Sequence, residues 1–314
     1  MTKILITGGN GFVGTALIFD LLKKTNVQVV SFVRSYQVQQ QEVEQIVAEN
    51  IFEVSFPENI DVIIHLAGRA HILNDQTTDP LNEFRKVNVE GTLKLARQAL
   101  EKKVKRFIFM SSIGVNGSVT LHQPFIEDAI PHPHADYAVS KLEAEEELKK
   151  LFAGTDTELV IIRPPLVYAA HAPGNFSRLL KLVATNLPLP FACTKNKRSF
   201  VALENLVDFI QTCIKHPNAA NQTFLVADQR SISTRELVEY LKQGMRKNPY
   251  FVYIPQPLMK LGAACLGKSK LYEQLFESLE VDASKAQKLL GWTAPLSTQQ
   301  AMLKAGQDYL KMKE

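Results

Sequence analysis

Directly after its first apolar run, Ile4-Leu5-Ile6, the chain turns through Thr7-Gly8-Gly9-Asn10-Gly11-Phe12-Val13-Gly14 and enters a stretch with helical periodicity. Few local patterns restrict a fold as strongly. Gly9, Gly11 and Gly14 fit the spacing G-x-G-x-x-G, while Gly8, Gly11 and Gly14 fit G-x-x-G-x-x-G. Both serve the same physics: glycines permit the tight turn, let backbone approach a pyrophosphate and seat the helix on its strand, and the helix N-terminus attracts negative charge. Lying between strand and helix, the turn implies a parallel sheet with a dinucleotide over its edge.

The rest of the first half supports that sheet. Short apolar, mostly β-branched runs at Lys3–Thr7, Val27–Val33, Asp61–Leu66, Val104–Ser111, Leu159–Arg163 and Thr223–Ala227 predict strands. Amphipathic stretches at Gly11–Lys24, Asp79–Lys102, Ala135–Phe152 and Leu203–His216 predict helices. The alternation reads as an α/β fold with a doubly wound parallel sheet, ligands lying at the carboxyl ends of the strands. Beyond Arg163-Pro164-Pro165 the pattern loosens into shorter helices and proline turns, which predicts a smaller, mainly helical substrate domain. The expected division is 1–168 plus 200–227 for the cofactor and 169–199 plus 228–314 for the substrate.

Composition enters mainly by exclusion. At 314 residues, 46% apolar and 22% charged, the chain can bury a large core without metal or disulfide support. A net charge of +4, spread along the sequence, does not suggest a nucleic-acid partner. Cys193, Cys213 and Cys265 form no CxxC pattern and read as free thiols of a reducing compartment. No apolar run is long enough to span a membrane, and the first apolar run is too short for a signal peptide, so a cytoplasmic protein is expected.

A cofactor's ribose 2′-hydroxyl is commonly held by a carboxylate at the end of the second strand. Here that strand ends Val33-Arg34-Ser35, and the Arg34 guanidinium suits a 2′-phosphate, which points to NADP(H) over NAD(H). Tyr137-Ala138-Val139-Ser140-Lys141 sets a phenol and an ammonium on one helical face, where the cation is expected to bring the phenol toward its working range. Upstream, Phe107-Ile108-Phe109-Met110-Ser111-Ser112 ends in two hydroxyls at the sheet's carboxyl edge.

With the glycine turn, Ser111-Ser112 and Tyr137-xxx-Lys141, the segments His65-Leu66-Ala67-Gly68 and Asn88-Val89-Glu90-Gly91-Thr92 complete a pattern that resembles the extended short-chain dehydrogenases/reductases, the NAD(P)-dependent epimerase/dehydratases. The resemblance runs over nearly the whole chain and implies a Rossmann-type cofactor domain. It also implies Ser112, Tyr137 and Lys141 as the catalytic set, Tyr137 as acid–base and Lys141 also holding the nicotinamide ribose. Cofactor contacts are implied at Gly8, Gly11, Phe12, Val13, Gly14, Leu66, Ala67, Gly68, Asn88, Ser111, Pro164, Leu166 and Val167. Ser112, Asn175, Phe176 and Arg198 are implied at the substrate, and a UDP-sugar and a homodimer are further implications.

Departures from the family pattern narrow the chemistry. Ile113-Gly114 stand after Ser112 where dehydratases carry an Asp-Glu pair, and Glu277-Ser278-Leu279 occupy the stretch where a diphosphate-clamping arginine is common. The first expectation is therefore reduction of the C4 ketone of a UDP-4-keto-6-deoxy-N-acetylhexosamine for surface-polysaccharide synthesis. The alternative is a UDP-hexose or UDP-N-acetylhexosamine 4-epimerase with tightly bound NAD. A hydrophobic-ketone reductase and a non-catalytic dinucleotide sensor are the lesser alternatives.

Weaker signals read structurally. His132-Pro133-His134 is taken as loop, with no metal expected. Glu145–Lys149 and Glu146–Lys150 are taken as a solvated, ion-paired helix face. The glutamine-rich Gln37–Gln45 is taken as a polar helix start. Pro257–Gly267, apolar apart from Lys260, is taken as a domain-packing helix, because it lacks the cationic face of a membrane-surface helix.

Overall fold

In a computed structural model, which describes residues 1–37, 42–53, 55–70 and 79–313, seven parallel strands form the central sheet. These are β1 (Thr2–Thr7), β2 (Val27–Val33), β3 (Glu44–Val47), β4 (Val62–His65), β5 (Arg106–Met110), β6 (Glu158–Arg163) and β9 (Gln222–Leu225), in the order β3-β2-β1-β4-β5-β6-β9. Winding runs outward from β1 to β3 and then resumes on the other side with β4. The switch point thus lies between β1 and β4, where Thr7 stands beside His65.

Strand residues alternate between two cores, as a period of two requires. Ile4 and Ile6 pack with Leu17 and Ile18 of helix α1 (Phe12–Leu21) and with Leu206 and Ile210 of α6 (Leu203–Lys215). Leu5 faces the opposite way, toward Leu95 and Ala99 of α3 (Thr92–Glu101) and Leu148 of α4 (Asp136–Phe152). Leu17, Ile18 and Leu95 are fully buried, each worth roughly 1.5–3 kcal/mol.

The expected strands and the helices around α1, α4 and α6 lie close to these bounds. The long helix expected over Asp79–Lys102 is broken: α2 (Pro80–Arg85), capped by the Asp79 side chain, passes into a π-helical segment, Lys86–Gly91, before α3 begins. The polar helix start expected over Gln37–Gln45 is not what forms at its described end. Gln45 lies in β3, a short edge strand pairing with Val30–Val33, and residues 38–41 lie outside the described residues.

A two-stranded parallel sheet of β7 (Leu166–Tyr168) and β8 (Phe200–Ala202), absent from the sequence reading, joins the main sheet to a second core. There Tyr168, Phe176, Leu180, Leu237 and Met302 pack together, with α5 (Gly174–Ala184), α7 (Thr234–Gly244) and α11 (Thr298–Lys311) as framework. Helices α8 (Gln256–Cys265) and α9 (Ser269–Phe276) form a hairpin at its edge in which no residue is buried. The packing role expected for Pro257–Gly267 is therefore not observed among the described residues. Helix α10 (Ser284–Leu290) and Trp292 return to the first core, so the expected block 228–314 is not a single packing unit. No described helix is long and apolar enough to cross a membrane.

Candidate active site

The glycine turn closes with the Gly11 amide donating to the Gly8 carbonyl at 2.9 Å. Gly8 adopts φ +73°, which suits a residue without a β-carbon. At Gly14 a β-carbon would fall 2.2 Å from the Gly8 carbonyl oxygen, so only glycine lets α1 start this close to its strand. Gly11, as helix cap, has no side chain to satisfy the first amides, and the first turn of α1 holds no carboxylate. That donor set, with Phe12 and Val13 opening the helix, fits a pyrophosphate.

Beside the turn, His65 bolts β4 in place. Its Nδ1 lies 2.6 Å from Thr7 Oγ1 and its Nε2 2.8 Å from Thr92 Oγ1, and Thr7 Oγ1 also accepts the Ala67 amide at 3.2 Å. Burial, helped by the charge of Lys141, holds the imidazole down to about 3, so His65 is neutral and structural. From there Leu66, Ala67 and Gly68 run along the rim. A β-carbon at Gly68 would stand 3.2 Å from Asn88 Oδ1 and 3.3 Å from Lys141 Nζ, so the missing side chain keeps the space before Lys141 open.

Asn88 sits in the π-helical segment, whose wider turn re-aims side chains and is common at functional sites. Its Oδ1 accepts the Arg69 amide at 2.8 Å, and its Nδ2 donates to Ser140 Oγ at 3.0 Å. Asn88 therefore ties the β4 rim to the helix that carries Tyr137 and Lys141.

Lys141 is 3% exposed, donates to the Met110 carbonyl at 2.9 Å, and lies 4.5 Å over the Phe109 ring. Burial lowers its pKa to about 8, opposed by the carboxylate of Glu145. The ammonium is 6.0 Å from the Tyr137 ring centroid. Burial pushes the Tyr137 phenol up to about 12. In the protein by itself desolvation therefore dominates the phenol, and the lowering expected from Lys141 is not seen. Ser112, half-buried at the mouth of β5, accepts the Gly114 amide at 3.1 Å. Gly114 presses against α4 so closely that a β-carbon would meet Ala138 at 3.2 Å, which sets the turn after Ser112 against the helix that carries Tyr137.

Other expected residues are distributed less simply. Ser111 is buried, its hydroxyl donating to Glu145 and its amide to the Ile162 carbonyl at 2.8 Å, so its side chain is engaged within the protein. Glu145 is itself a correction: it is fully buried and paired with Arg163, while Lys150 pairs with Glu147. The Arg163 Nη1 also donates to Asn116 at 3.0 Å. Neither Glu145 nor Arg163 was singled out for the site; a lone cation ending a buried strand was the available signal. Pro164 is buried, its carbonyl accepting the Ile113 amide at 3.0 Å, while Leu166 is exposed and Val167 half-buried. Arg34 follows β2 directly and is exposed at the sheet's carboxyl edge.

At the substrate end, Asn175 near the start of α5 donates to Gln274 of α9 at 2.9 Å. Phe176 is 1% exposed, with its ring 5.4 Å from that of Tyr168, so its side chain belongs to the core and cannot meet a ligand as expected. Arg198 donates to the Glu277 carbonyl at 3.0 Å, and burial lowers its pKa to about 10. The imidazoles of His132 and His134 lie 2.9 Å apart and exposed.

Comparison with known proteins places this geometry. Residues 4–227 match the model of the NAD dependent epimerase/dehydratase family. A UDP-glucose 4-epimerase of Vibrio cholerae is 42% identical over 98% of this chain and 96% of its own length. The N-acetyl-alpha-D-glucosaminyl-diphospho-ditrans,octacis-undecaprenol 4-epimerase of Escherichia coli O157:H7 is 28% identical over 84% of this chain and 78% of its own. Among solved structures, a UDP-glucuronic acid 4-epimerase of Bacillus cereus in complex with NAD superposes with a TM-score of 0.78 at 21% identity, covering 99% of this chain and 97% of the other. RMD of Pseudomonas aeruginosa complexed with NADPH superposes with a TM-score of 0.75 at 20% identity, covering 99% and 100%. With a glycine turn, a serine and a Tyr-xxx-Lys pair assembled on one sheet edge, the chain belongs to the NAD-dependent epimerase/dehydratase family and is an enzyme of that kind.

Proposed function

We propose that the protein is a 4-epimerase of a UDP-linked hexose or N-acetylhexosamine, working with a nicotinamide cofactor that stays bound through the cycle. The observation that carries this choice is the 42% identity, over nearly the full length, with the Vibrio cholerae UDP-glucose 4-epimerase. Epimerisation thereby moves ahead of the reductase expected first.

The cofactor would lie along Gly8, Gly11, Phe12, Val13 and Gly14, then Leu66, Ala67, Gly68 and Asn88, to reach Tyr137 and Lys141, with Ser111, Pro164, Leu166 and Val167 beyond. A bound oxidised nicotinamide supplies the hydride acceptor for C4 and, being cationic, a field that favours the phenolate. Tyr137 takes the proton of the C4 hydroxyl as the ketone forms and returns it when the C–H bond is remade on the other face. Ser112 hydrogen-bonds the same oxygen, and Lys141 holds the ribose. Asn175, the backbone at Phe176 and Arg198 face the nucleotide diphosphate. The proposal keeps 1–168 with 200–227 as the cofactor domain, and a homodimer through α3 and α4.

A second reading, reduction of a UDP-4-keto-6-deoxy-N-acetylhexosamine, is favoured by Arg34, which suits the NADPH of a consumed reductant. One experiment separates the two. The cofactor is released from purified protein and identified, and the protein is then given UDP-glucose and UDP-N-acetylglucosamine with no added cofactor. Formation of the galacto isomers supports the epimerase. Inertness toward both, with NADPH oxidised by the keto sugar, overturns it in favour of the reductase.

A further inference from the structure

We propose that the α8–α9 hairpin, with the segment leading into it, is a docking face for an anionic lipid bilayer. Between Glu239 and Glu273 the chain has no aspartate or glutamate, yet it carries Lys242, Arg246, Lys247, Lys260, Lys268 and Lys270. In a protein whose net charge is only +4, this stretch is distinguished by cations with no carboxylate between them. Of the six, Arg246, Lys260, Lys268 and Lys270 are exposed.

The same stretch displays its apolar side chains to solvent. Tyr253, Leu258, Leu261 and Leu266 are each 60% or more exposed, and Tyr250 and Leu271 lie outward with them. Leu258 and Leu261 are one helical turn apart and Cys265 one turn further, which makes a single outward stripe on α8. Contiguous apolar surface of this kind marks an interaction site, and tyrosine and leucine flanked by lysine are the residues that settle at a lipid headgroup boundary. The exposed cations that such a helix needs are not on α8 itself, apart from Lys260; Lys268 follows its C-terminus, Lys270 lies in the first turn of α9, and Arg246 stands after α7 in the segment leading in.

Charge selects the occupant. A second copy docked face to face would set the same predominantly cationic patch, in which Glu273 is the one carboxylate of the two helices, against itself. An anionic bilayer accepts the leucines into its boundary and neutralises the lysines. The face also adjoins the substrate end, since Gln274 of α9 bonds Asn175 and the carbonyl of Glu277 receives Arg198. A docked enzyme would therefore hold that end of its site at the membrane plane, whichever sugar the site takes.

The test is vesicle flotation with the full-length protein. Expected is binding to phosphatidylethanolamine–phosphatidylglycerol vesicles that is much weaker on phosphatidylcholine alone and is reversed by high salt. The triple variant Lys260→Gln/Lys268→Gln/Lys270→Gln should lose on the order of a hundredfold in partitioning. The variant Leu258→Gln/Leu261→Gln/Leu266→Gln should lose more than about tenfold. All these positions are exposed, and melting temperatures equal to wild type confirm folding. Binding that ignores lipid charge, or survives the leucine replacements, overturns the proposal. So does a dimer in light scattering that the leucine variant converts to monomer, because a second copy then covers the face.

Discussion

Arg163 at the end of β6 grips Glu145 of α4 through paired bonds, Nε to Oε1 at 2.9 Å and Nη2 to Oε2 at 2.5 Å, with side chains only 3% and 0% exposed. The pair anchors the helix that presents Tyr137 and Lys141 to the strand beside the cofactor edge. Glu145→Ala strands a buried guanidinium and should cost about 3–5 kcal/mol in chemical denaturation. Replacing both residues by methionine should cost less than either single alanine change, since no lone charge remains; a larger loss would contradict this account.

Tyr137→Phe should reduce turnover by at least about 10²-fold while the cofactor still co-purifies, because the ring's packing is kept and only the proton carrier is lost. An unchanged rate would remove Tyr137 from the chemistry.

If Lys141 holds the ribose as proposed, its low pKa of about 8 should give cofactor binding a pH dependence. Below that value the residue is an ammonium able to donate to a ribose. Above it the charge is lost, so affinity should decline as pH rises through about 8, and Lys141→Met should show weak, flat binding by calorimetry. Stability runs the other way. Between about 8 and the ordinary lysine value of 10.5 the unfolded chain binds the proton that the folded chain has released, so this group's contribution improves across that window.

His65 sets an acid limit. Its folded value of about 3 lies below the ordinary 6.5, so between these pH values the unfolded chain takes up a proton that the buried ring refuses. Stability should fall as pH drops through that window, by on the order of a few kcal/mol in full. His65→Gln, which can still bond a threonine, should flatten the acid limb of the stability–pH curve measured by urea titration.

The exposed Arg34 just past the end of β2 offers a test of cofactor choice by charge. Arg34→Glu should shift the preference toward NAD over NADP by on the order of a hundredfold in dissociation constants, since a carboxylate repels a 2′-phosphate and accepts from a 2′-hydroxyl. Equal affinities in wild type and variant would make Arg34 a bystander.

The features legible in the sequence are those whose meaning is local. Gly8 to Gly14 follow a strand and open a helix within a few residues, and Tyr137 and Lys141 share a face by spacing alone. Glu145 shows where such reasoning stops. An i,i+4 lysine was the sequence-near partner, but a long-range bond to Arg163 replaced it because both groups are buried. Phe176 lies near the start of α5, and its side chain is consumed by the second core, whose members come from distant segments. The three-residue strands β7 and β8 are too short to show a period, and the polar Glu44–Val47 becomes a strand only by pairing with β2. The π-helical turn that aims Asn88 keeps the outward look of an ordinary amphipathic helix.

One consequence lies in the path of the backbone around α10. The chain leaves the seven-stranded sheet after β6, returns to it at β9 by way of the β7–β8 pair and α6, leaves again, and returns once more to seat Trp292 against Phe209, ring centroids 4.8 Å apart, with its indole bonded to Asp208 at 2.7 Å. Two lobes joined by one strap can swing apart like a clamshell. These two are laced together, and a rigid rotation would strain every crossing and unseat the tryptophan. Mutations that loosen the lacing should therefore make the site leaky to water before they make the protein unfold.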